Sequence, residues 1–118
     1  MSKNVPRRTR AAKRKNTPFL IRKAVLSDVK AMQKLINAYA KRQLLLPRSL
    51  NYMFDNVRDY FVCENRAKRV IACGALHVVW ENLAEIKSLV VRKDYQGTGL
   101  GKRIVEACLL EAAELGVC

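Results

Sequence analysis

The sequence predicts one α/β domain with an antiparallel sheet region and the element order β-α-α-β-β-β-α. Three observations support this prediction. The chain has 118 residues, half of them apolar, which suffices for one small domain with a core. Its apolar residues recur either at helical spacing or in strand-length runs. A glycine-rich turn, residues 96–101, joins the last apolar run to an amphipathic helix.

The beginning of the chain differs from the rest in charge. Residues 1–18 hold seven basic side chains and no acidic one, and the whole chain has a net charge of +13. We therefore predict a disordered basic tail over 1–18, able to contact a polyanion, and a folded domain over 19–118. There is no secretory leader and no apolar stretch of about 20 residues, so a cytoplasmic location without membrane contact is expected.

The spacing and surroundings of the four cysteines predict neither a metal site nor a nucleophilic thiol. None of the four has metal-site spacing and His77 is the only histidine, so no metal is predicted. Cys63, Cys73 and Cys108 lie in apolar stretches and are expected to be buried thiols. A catalytic cysteine assisted by His77 is disfavoured, because no neighbouring residue would activate a thiol.

The first strand and the first helix follow the tail directly. Residues 19–25 are predicted to form a short strand, and Ser27 is a suitable N-cap for the next helix. That helix, of about 13 residues, has one apolar face. The residues predicted to be buried on it are Val29, Met32, Leu35, Ile36 and Tyr39.

A second helix is predicted after Pro47, because a proline cannot continue the first one. Ser49 is the expected N-cap of this helix. The residues predicted to be buried on it are Leu50, Met53, Phe54 and Val57.

Three strands are predicted in succession, as expected for an antiparallel sheet. They cover residues 60–64, 69–79 and 84–91, with polar turns at 65–68 and 80–82. Gly74, inside the second of these strands, indicates a bulge or a close backbone approach.

The last helix begins on the glycine-rich turn and ends at Gly116, where a left-handed residue is expected. Its predicted buried stripe consists of Leu100, Ile104, Val105, Cys108, Leu109, Ala112 and Leu115. Its charges oppose the helix dipole, since Lys102 and Arg103 lie near the start, and Glu111 and Glu114 near the end. This arrangement suits a site for an external anion, although solvated surface bases would give the same pattern.

The glycine-rich turn fits neither of two common phosphate-binding motifs. Gln96 stands where a nucleoside-triphosphate loop has its first glycine, and Arg103 where that loop has serine or threonine. The glycines are spaced G-x-G-x-G, which also departs from the dinucleotide fingerprint. Residues 96–101 instead form a Q-x-x-G-x-G between an apolar strand and an amphipathic helix. In this they resemble the acetyl-CoA pyrophosphate loop of the GNAT acetyltransferase superfamily.

Further residues make the chain similar to the acetyltransferase domain of N-acetylglutamate synthases within that superfamily. They are Leu46-Pro47-Arg48-Ser49, Cys73-Gly74-Ala75-Leu76 and the strand AEIKSLVV before the loop. The resemblance covers about residues 19–118. It implies the GNAT fold, acetyl-CoA as co-substrate, no metal, and acetylation of the α-amine of glutamate, which opens arginine biosynthesis.

The resemblance also implies roles for residues near the loop. The backbone of Leu89, Val90 and Val91 would pair with the pantetheine arm of the cofactor. The pyrophosphate contacts would come from Gln96, Gly97, Thr98, Gly99, Leu100, Gly101 and Lys102.

Catalytic and acceptor-binding roles follow from the same resemblance. Glu85, eleven residues before Gln96, would remove a proton from the attacking amine, which must be neutral to attack a thioester. The alternative is a solvated carboxylate at the strand end. Arg48 and Ser49 would bind glutamate, and the alternative is a surface arginine and a plain helix cap. The acetyl group would pass directly to the amine, without an acyl-enzyme.

The end of the chain departs from the family. A GNAT domain continues with a fifth strand, a helix and a hairpin, which normally carry the group that protonates the leaving thiolate, whereas this chain stops at Cys118. We therefore expect a domain truncated before the fifth strand, either a fragment or a shortened product.

Two other functions stay open. The same fold could act on a protein lysine, an N-terminus or another small amine, and a basic nucleic-acid-binding module is the competing class. The resemblance is also compatible with a homodimer.

Overall fold

The computed structural model describes residues 19–41 and 47–117. The predicted tail over 1–18, together with Leu46 and Cys118, lies outside these ranges. The strands are β1 (Leu20–Lys23), β2 (Tyr60–Glu64), β3 (Val70–Trp80) and β4 (Leu83–Val91), and the helices are α1 (Val29–Ala40), α2 (Leu50–Asp55) and α3 (Leu100–Leu115). Single 3-10 turns cover Leu26–Asp28, Val57–Asp59 and Lys93–Tyr95. The predicted order β-α-α-β-β-β-α is confirmed.

The four strands form one antiparallel sheet in the order β1-β2-β3-β4, with helices on both faces. Residues alternate between the faces, as the strand period requires. One buried cluster joins α1 and α2 to Tyr60, Val62, Cys73 and Ala75. A second cluster joins α3 to residues of the opposite face, such as Phe61 and Leu76. No helix within 19–41 or 47–117 is long and apolar enough to cross a membrane.

The sheet contains the bulge that Gly74 indicated. The register passes from Cys73 opposite Val90 to Ala75 opposite Lys87, so Gly74 faces two residues of β4. One of these, Ser88, has a left-handed φ of 56° and is buried. A β-carbon at Gly74 would lie only 2.9 Å from the Ile104 Cγ2 atom. The bulge therefore depends on a glycine here, because α3 lies too close to admit a side chain.

The prediction that Ser27 caps the first helix is wrong. Ser27 lies inside the 3-10 turn that precedes α1, and Asp28 occupies the N-cap position without a side-chain hydrogen bond to α1. The Asp28 carboxylate accepts the backbone N–H of Val25 at 2.8 Å and two N–H groups of Arg22 at 2.8 and 3.0 Å. Arg22 also donates to Glu64 at 2.7 Å. The Asp28 carboxylate therefore joins β1 to the turn before α1 through an ion pair, which a serine hydroxyl could not form.

The Arg22 contact gives a testable pH dependence. The hydrogen bond from Arg22 holds the pKa of Asp28 below its usual range. Because the folded pKa lies below the unfolded one, this stabilisation is complete above about pH 4 and is lost as pH falls through the folded pKa. Asp28→Asn should lower the free energy of unfolding by about 1–3 kcal/mol at pH 7. At acidic pH, below the folded pKa, its urea denaturation curve should approach that of the original chain.

The control is Asp55→Asn, which changes an exposed carboxylate on α2. It should leave the urea midpoint nearly unchanged at both pH values. An equal loss of stability in the two variants at pH 7 would contradict the role assigned to Asp28.

Several residues predicted to be buried are exposed. On α2 only Met53 is buried, and 42% of Phe54 is exposed, because this helix has six residues and presents one side to the sheet. On α3 the buried residues are Leu100, Ile104, Cys108 and Ala112, a stripe at strict four-residue spacing. Leu109 and Leu115 are 58% and 60% exposed, since they lie away from the stripe that packs against the sheet.

The predictions for the buried face of α1, the N-cap of α2 and the C-terminal end of α3 are confirmed. All five predicted α1 residues are buried, and Ser49 caps α2 by accepting the N–H of Tyr52 at 3.0 Å. Gly116 ends α3 with a φ of 91°. Strand ends differ from the prediction by up to two residues. Trp80 belongs to β3 rather than to the following turn, which consists of Glu81 and Asn82.

Candidate active site

The glycine-rich turn is anchored to the end of β4 by its own polar side chains. Gln96 donates its side-chain N–H to the Val91 carbonyl at 3.0 Å, and the Thr98 hydroxyl donates to the Tyr95 carbonyl. Gly97 and Gly99 have left-handed φ angles of 82° and 84°. A β-carbon at either would meet no atom within 4 Å. These glycines are thus required by backbone conformation, and the space beside them is open to a ligand.

The N-terminus of α3 offers its backbone donors to that open space. Its N-cap is Gly99, which has no side chain to satisfy them, and the first turn holds no acidic residue. Lys102 is exposed beside it and Arg103 is half-buried, and a β-carbon at Gly101 would lie 3.6 Å from the Val91 Cγ2 atom. Leu100 is buried, so only its backbone could reach a ligand. Free N–H groups and nearby bases suit a phosphate.

The structure explains one of the two glutamates near the C-terminus of α3, where the helix dipole disfavours negative charge. This glutamate is Glu111. The Lys23 ammonium of β1 contacts its carboxylate at 3.0 Å. The sheet therefore compensates this acid, whereas no described side chain compensates the bases at the start of the helix with an ion pair.

β4 has one edge without a strand partner. Within the described ranges it pairs with β3 alone. The side chains of its last residues alternate between the two faces of the sheet. Val90 is buried toward α1, while Leu89 and Val91 are half-buried toward α3. An unpaired strand edge carries backbone donors and acceptors that an extended ligand can use. This edge leads directly into the glycine-rich turn.

A second group of polar residues lies on the α1 and α2 face of the sheet. α1 fixes the backbone of Arg48, whose N–H donates to the Asn37 side chain at 2.8 Å. The Arg48 carbonyl accepts side-chain N–H groups of Asn37 and Gln33, each at 3.1 Å. The sequence analysis did not identify Gln33 and Asn37. Their only signal was a pair of amides four residues apart on one helix.

The side chain of Arg48 lies above an aromatic ring and keeps one donor unused. Its guanidinium carbon is 4.5 Å from the centre of the Tyr52 ring, and the Lys87 ammonium is 5.7 Å from the same centre. The Arg48 Nε atom is buried and has no hydrogen-bond partner among the described residues. A buried, unpaired donor is unfavourable unless a ligand accepts from it, and here the donor is cationic. Ser49 is exposed and acts as the helix cap.

Tyr60 lies beneath this group, next to the bulge in β4. Its hydroxyl is buried near Ser88 but makes no hydrogen bond of acceptable geometry. Burial raises the pKa of Tyr60 well above its usual value. Within 19–41 and 47–117, Tyr60 and Arg48 thus give this face two buried polar groups without a hydrogen-bond partner.

Glu85 lies on the same face as Arg48. Lys87 pairs with Ala75, which belongs to the α1 and α2 cluster, and Glu85 is two residues earlier on the same strand. Glu85 is exposed and stands directly across from His77. The His77 Nδ1 atom is 2.9 Å from the Asp59 Oδ2 atom, a pairing that the sequence did not reveal. The fold thus brings the predicted base and the predicted acceptor residues to one face.

Neither a nucleophilic cysteine nor a metal site is supported by the described residues. Cys63, Cys73 and Cys108 are buried, as predicted. Burial raises the pKa of Cys63 to about 11 and that of Cys73 to about 12, so neither thiol ionises readily. His77 contacts Asp59 rather than a thiol. Within 19–41 and 47–117, no three histidine, cysteine or acidic side chains are grouped for a metal ion.

The sequence resembles known acetyltransferases over most of its length. Residues 28–118 match the model of the acetyltransferase (GNAT) family. An amino-acid acetyltransferase from Mycobacterium tuberculosis is 36% identical over 98 residues, which cover 81% of this chain and 56% of that protein. One from Pasteurella multocida is 31% identical over 82% of this chain and 22% of its own length. The chain therefore spans about half of the first relative and about a fifth of the second.

Solved structures resemble the fold closely. A Mycobacterium tuberculosis protein in complex with CoA and NLQ superposes with a TM-score of 0.79 at 35% identity, over 83% of this chain and 60% of that one. N-acetylglutamate synthase from Neisseria gonorrhoeae, complexed with coenzyme A and N-acetyl-glutamate, superposes with a TM-score of 0.81 at 25% identity. The match covers 87% of this chain and 24% of that one. A GNAT acetyltransferase from Staphylococcus aureus, 16% identical with a TM-score of 0.73, shares the fold alone.

Proposed function

Because the chain belongs to the GNAT acetyltransferase family and has its fold, we propose that it transfers the acetyl group of acetyl-CoA to the α-amine of glutamate. The observation that carries the choice of acceptor is Arg48. Its buried Nε finds no partner in the described part of the chain, and its guanidinium lies with Lys87 around the Tyr52 ring. Two cations at one place suit an acceptor that carries carboxylates, whereas a protein lysine would bring a third positive charge.

The relatives support the same choice. The Mycobacterium tuberculosis relative is named an amino-acid acetyltransferase, and the Neisseria gonorrhoeae structure holds N-acetyl-glutamate and coenzyme A. In the proposed complex the pyrophosphate of acetyl-CoA occupies the open space at Gly97–Lys102. The pantetheine arm runs along the free edge of β4. The acceptor amine then approaches from the α2 side, where Arg48 and Glu85 lie.

The chemistry requires a neutral amine. Glu85 takes a proton from the ammonium group, and the amine nitrogen attacks the thioester carbonyl carbon. The amine nitrogen loses its second proton as the tetrahedral intermediate collapses, the carbon–sulfur bond breaks, and the leaving CoA thiolate takes up one proton. No residue becomes acetylated, which agrees with the high pKa of the buried thiols.

An acceptor comparison tests this proposal. Release of free CoA should be measured with acetyl-CoA and glutamate, glutamine, a small amine without carboxylates, or a lysine-containing peptide. Glutamate should give the highest kcat/KM. A preference for the peptide would overturn the acceptor while leaving the family assignment intact. The cytoplasmic location, the homodimer and the link to arginine biosynthesis remain predictions.

Glu85→Gln tests the proton-accepting role. It should lower kcat by about 100-fold near neutral pH, because the amide cannot accept the proton, and should leave the affinity for CoA unchanged. Raising the pH should recover part of the rate, since a larger share of the amine is then neutral. Glu81→Gln, an exposed carboxylate in the preceding turn, is the control. A kcat within threefold of the original chain for Glu85→Gln would leave only the solvated-carboxylate interpretation.

A further inference from the structure

A cleft of about 660 Å³ lies apart from the residues assigned above to the active site. α1 forms one wall, and the turn between β2 and β3 faces it. Arg92, at the end of β4, closes one side. None of the residues given an acetyl-transfer role lines the cleft. Its volume falls within the range of small-molecule sites, about 300–1,000 Å³.

The cleft has an excess of positive charge. Its five cations are Arg22, Lys34, Lys68, Arg69 and Arg92, and its two carboxylates, Asp28 and Glu64, both contact Arg22. The lining therefore has a net charge of +3, and one of its cations, Arg92, also contacts Asp94 outside the cleft at 3.3 Å. Within the described part of the chain, Lys34, Lys68 and Arg69 form neither a hydrogen bond nor an ion pair through their side chains.

The turn that holds two of these cations is built rigidly. The Asn65 side chain accepts the backbone N–H groups of Ala67 and Arg69, each at 3.0 Å. Lys68 adopts a left-handed φ of 63°, unusual for a residue with a side chain. The turn is already ordered beside the cleft, so a ligand that contacts Lys68 and Arg69 would not have to order its backbone on binding.

The opposite wall supplies most of the apolar residues of the lining, although Lys34 belongs to it as well. Ala31, Leu35 and Ala38 of α1 line it, and Val70 lies at the start of β3. The cleft thus joins a basic rim to an apolar surface. That combination suits a ligand with an anionic group on a ring system better than a bare ion.

We propose that this cleft binds a phosphate monoester carried on a planar ring, of the kind found in a nucleotide. A phosphate monoester presents three oxygens and nearly two negative charges to the rim. Arg69 and Arg92 offer forked donors that match phosphate oxygens, and Lys34 and Lys68 add point charges. The same group occurs in free nucleotides and in the 3′-phosphoadenosine of CoA. The inference does not depend on acetyl transfer.

The test uses isothermal titration of the full chain with AMP, adenosine and inorganic phosphate. AMP should bind more tightly than either fragment, because only AMP engages both the rim and the apolar wall. Lys34→Ala/Arg69→Ala should weaken AMP binding at least about 30-fold. The matched control, Lys30→Ala/Arg66→Ala, removes two exposed charges from the same helix and the same turn outside the cleft. It should weaken AMP binding less than about threefold.

The source of the phosphate is decided by two further titrations. If CoA supplies it, CoA binds more tightly than dephospho-CoA, and the cleft variant abolishes the difference. If a free nucleotide supplies it, AMP binds equally well to protein saturated with CoA. Either result supports the site. Equal losses in the two double variants, or AMP binding no tighter than adenosine, would overturn it. The proposal would also be overturned if a DNA duplex displaced AMP and lost more affinity than AMP does in Lys34→Ala/Arg69→Ala.

Discussion

Gly99→Val should lower the affinity for CoA by about 100-fold or more while α3 keeps its length. Gly99 has a φ of 84°, and a β-branched residue is strained there by roughly 1–3 kcal/mol. The backbone would move to relieve that strain, and the N–H groups at the start of α3 would turn away from the pyrophosphate. The new side chain would also occupy the open space beside the turn. Losing two charge-assisted hydrogen bonds accounts for the size of the effect.

Gly116→Val is the matched control for that experiment. Gly116 has a φ of 91° at the other end of α3, and a β-carbon there also meets no atom within 4 Å. Both variants should therefore lose a similar amount of thermal stability, and only Gly99→Val should lose CoA binding. Calorimetric titration with CoA and thermal unfolding measure the two properties separately. Equal CoA affinities in the two variants would remove the glycine-rich turn from the binding site.

The sequence predicted the elements well because their signals are local. Apolar period, caps and glycines act within a few residues, and they placed all four strands and three helices. The errors arose where a distant residue decided the outcome. Ser27 had the right chemistry for a cap, but it lies inside a 3-10 turn, and Asp28, which pairs with Arg22 of β1, occupies the N-cap position of α1. The exposure of Leu109 and Leu115 depends on how much of α3 the sheet contacts, which helical spacing alone does not determine.

The same distinction applies to the candidate site. The glycine-rich turn is one continuous stretch, so its conformation could be predicted from its glycines. The group around Arg48 is assembled from α1, α2, β2 and β4, and its supports were not visible in the sequence. Asn37 and Gln33 reach Arg48 across 11 and 15 residues. The Ser88 bulge was indicated only through its partner, Gly74.

Arg48→Ala should lower kcat/KM for glutamate by about 30-fold to several thousand-fold, equivalent to roughly 2–5 kcal/mol, and leave CoA binding nearly unchanged. The loss is large because a substrate carboxylate would remain desolvated without its partner. The backbone of residue 48 would stay in place, since Asn37 and Gln33 hold it through main-chain groups. The variant therefore removes the guanidinium without displacing α2. Steady-state kinetics with glutamate and a separate CoA titration give the two readouts.

Arg48→Lys distinguishes a specific contact from a simple charge. A lysine restores the positive charge above Tyr52 but cannot make a forked pair or replace the buried Nε donor, so it should recover only part of the loss. Arg58→Ala, which removes an exposed arginine outside this group, should leave kcat/KM within about twofold. Full activity in Arg48→Lys would reduce the role of Arg48 to general electrostatics. Full activity in Arg48→Ala would keep glutamate as a candidate acceptor but require another residue, with Lys87 the nearest cation to the same ring, to bind its carboxylate.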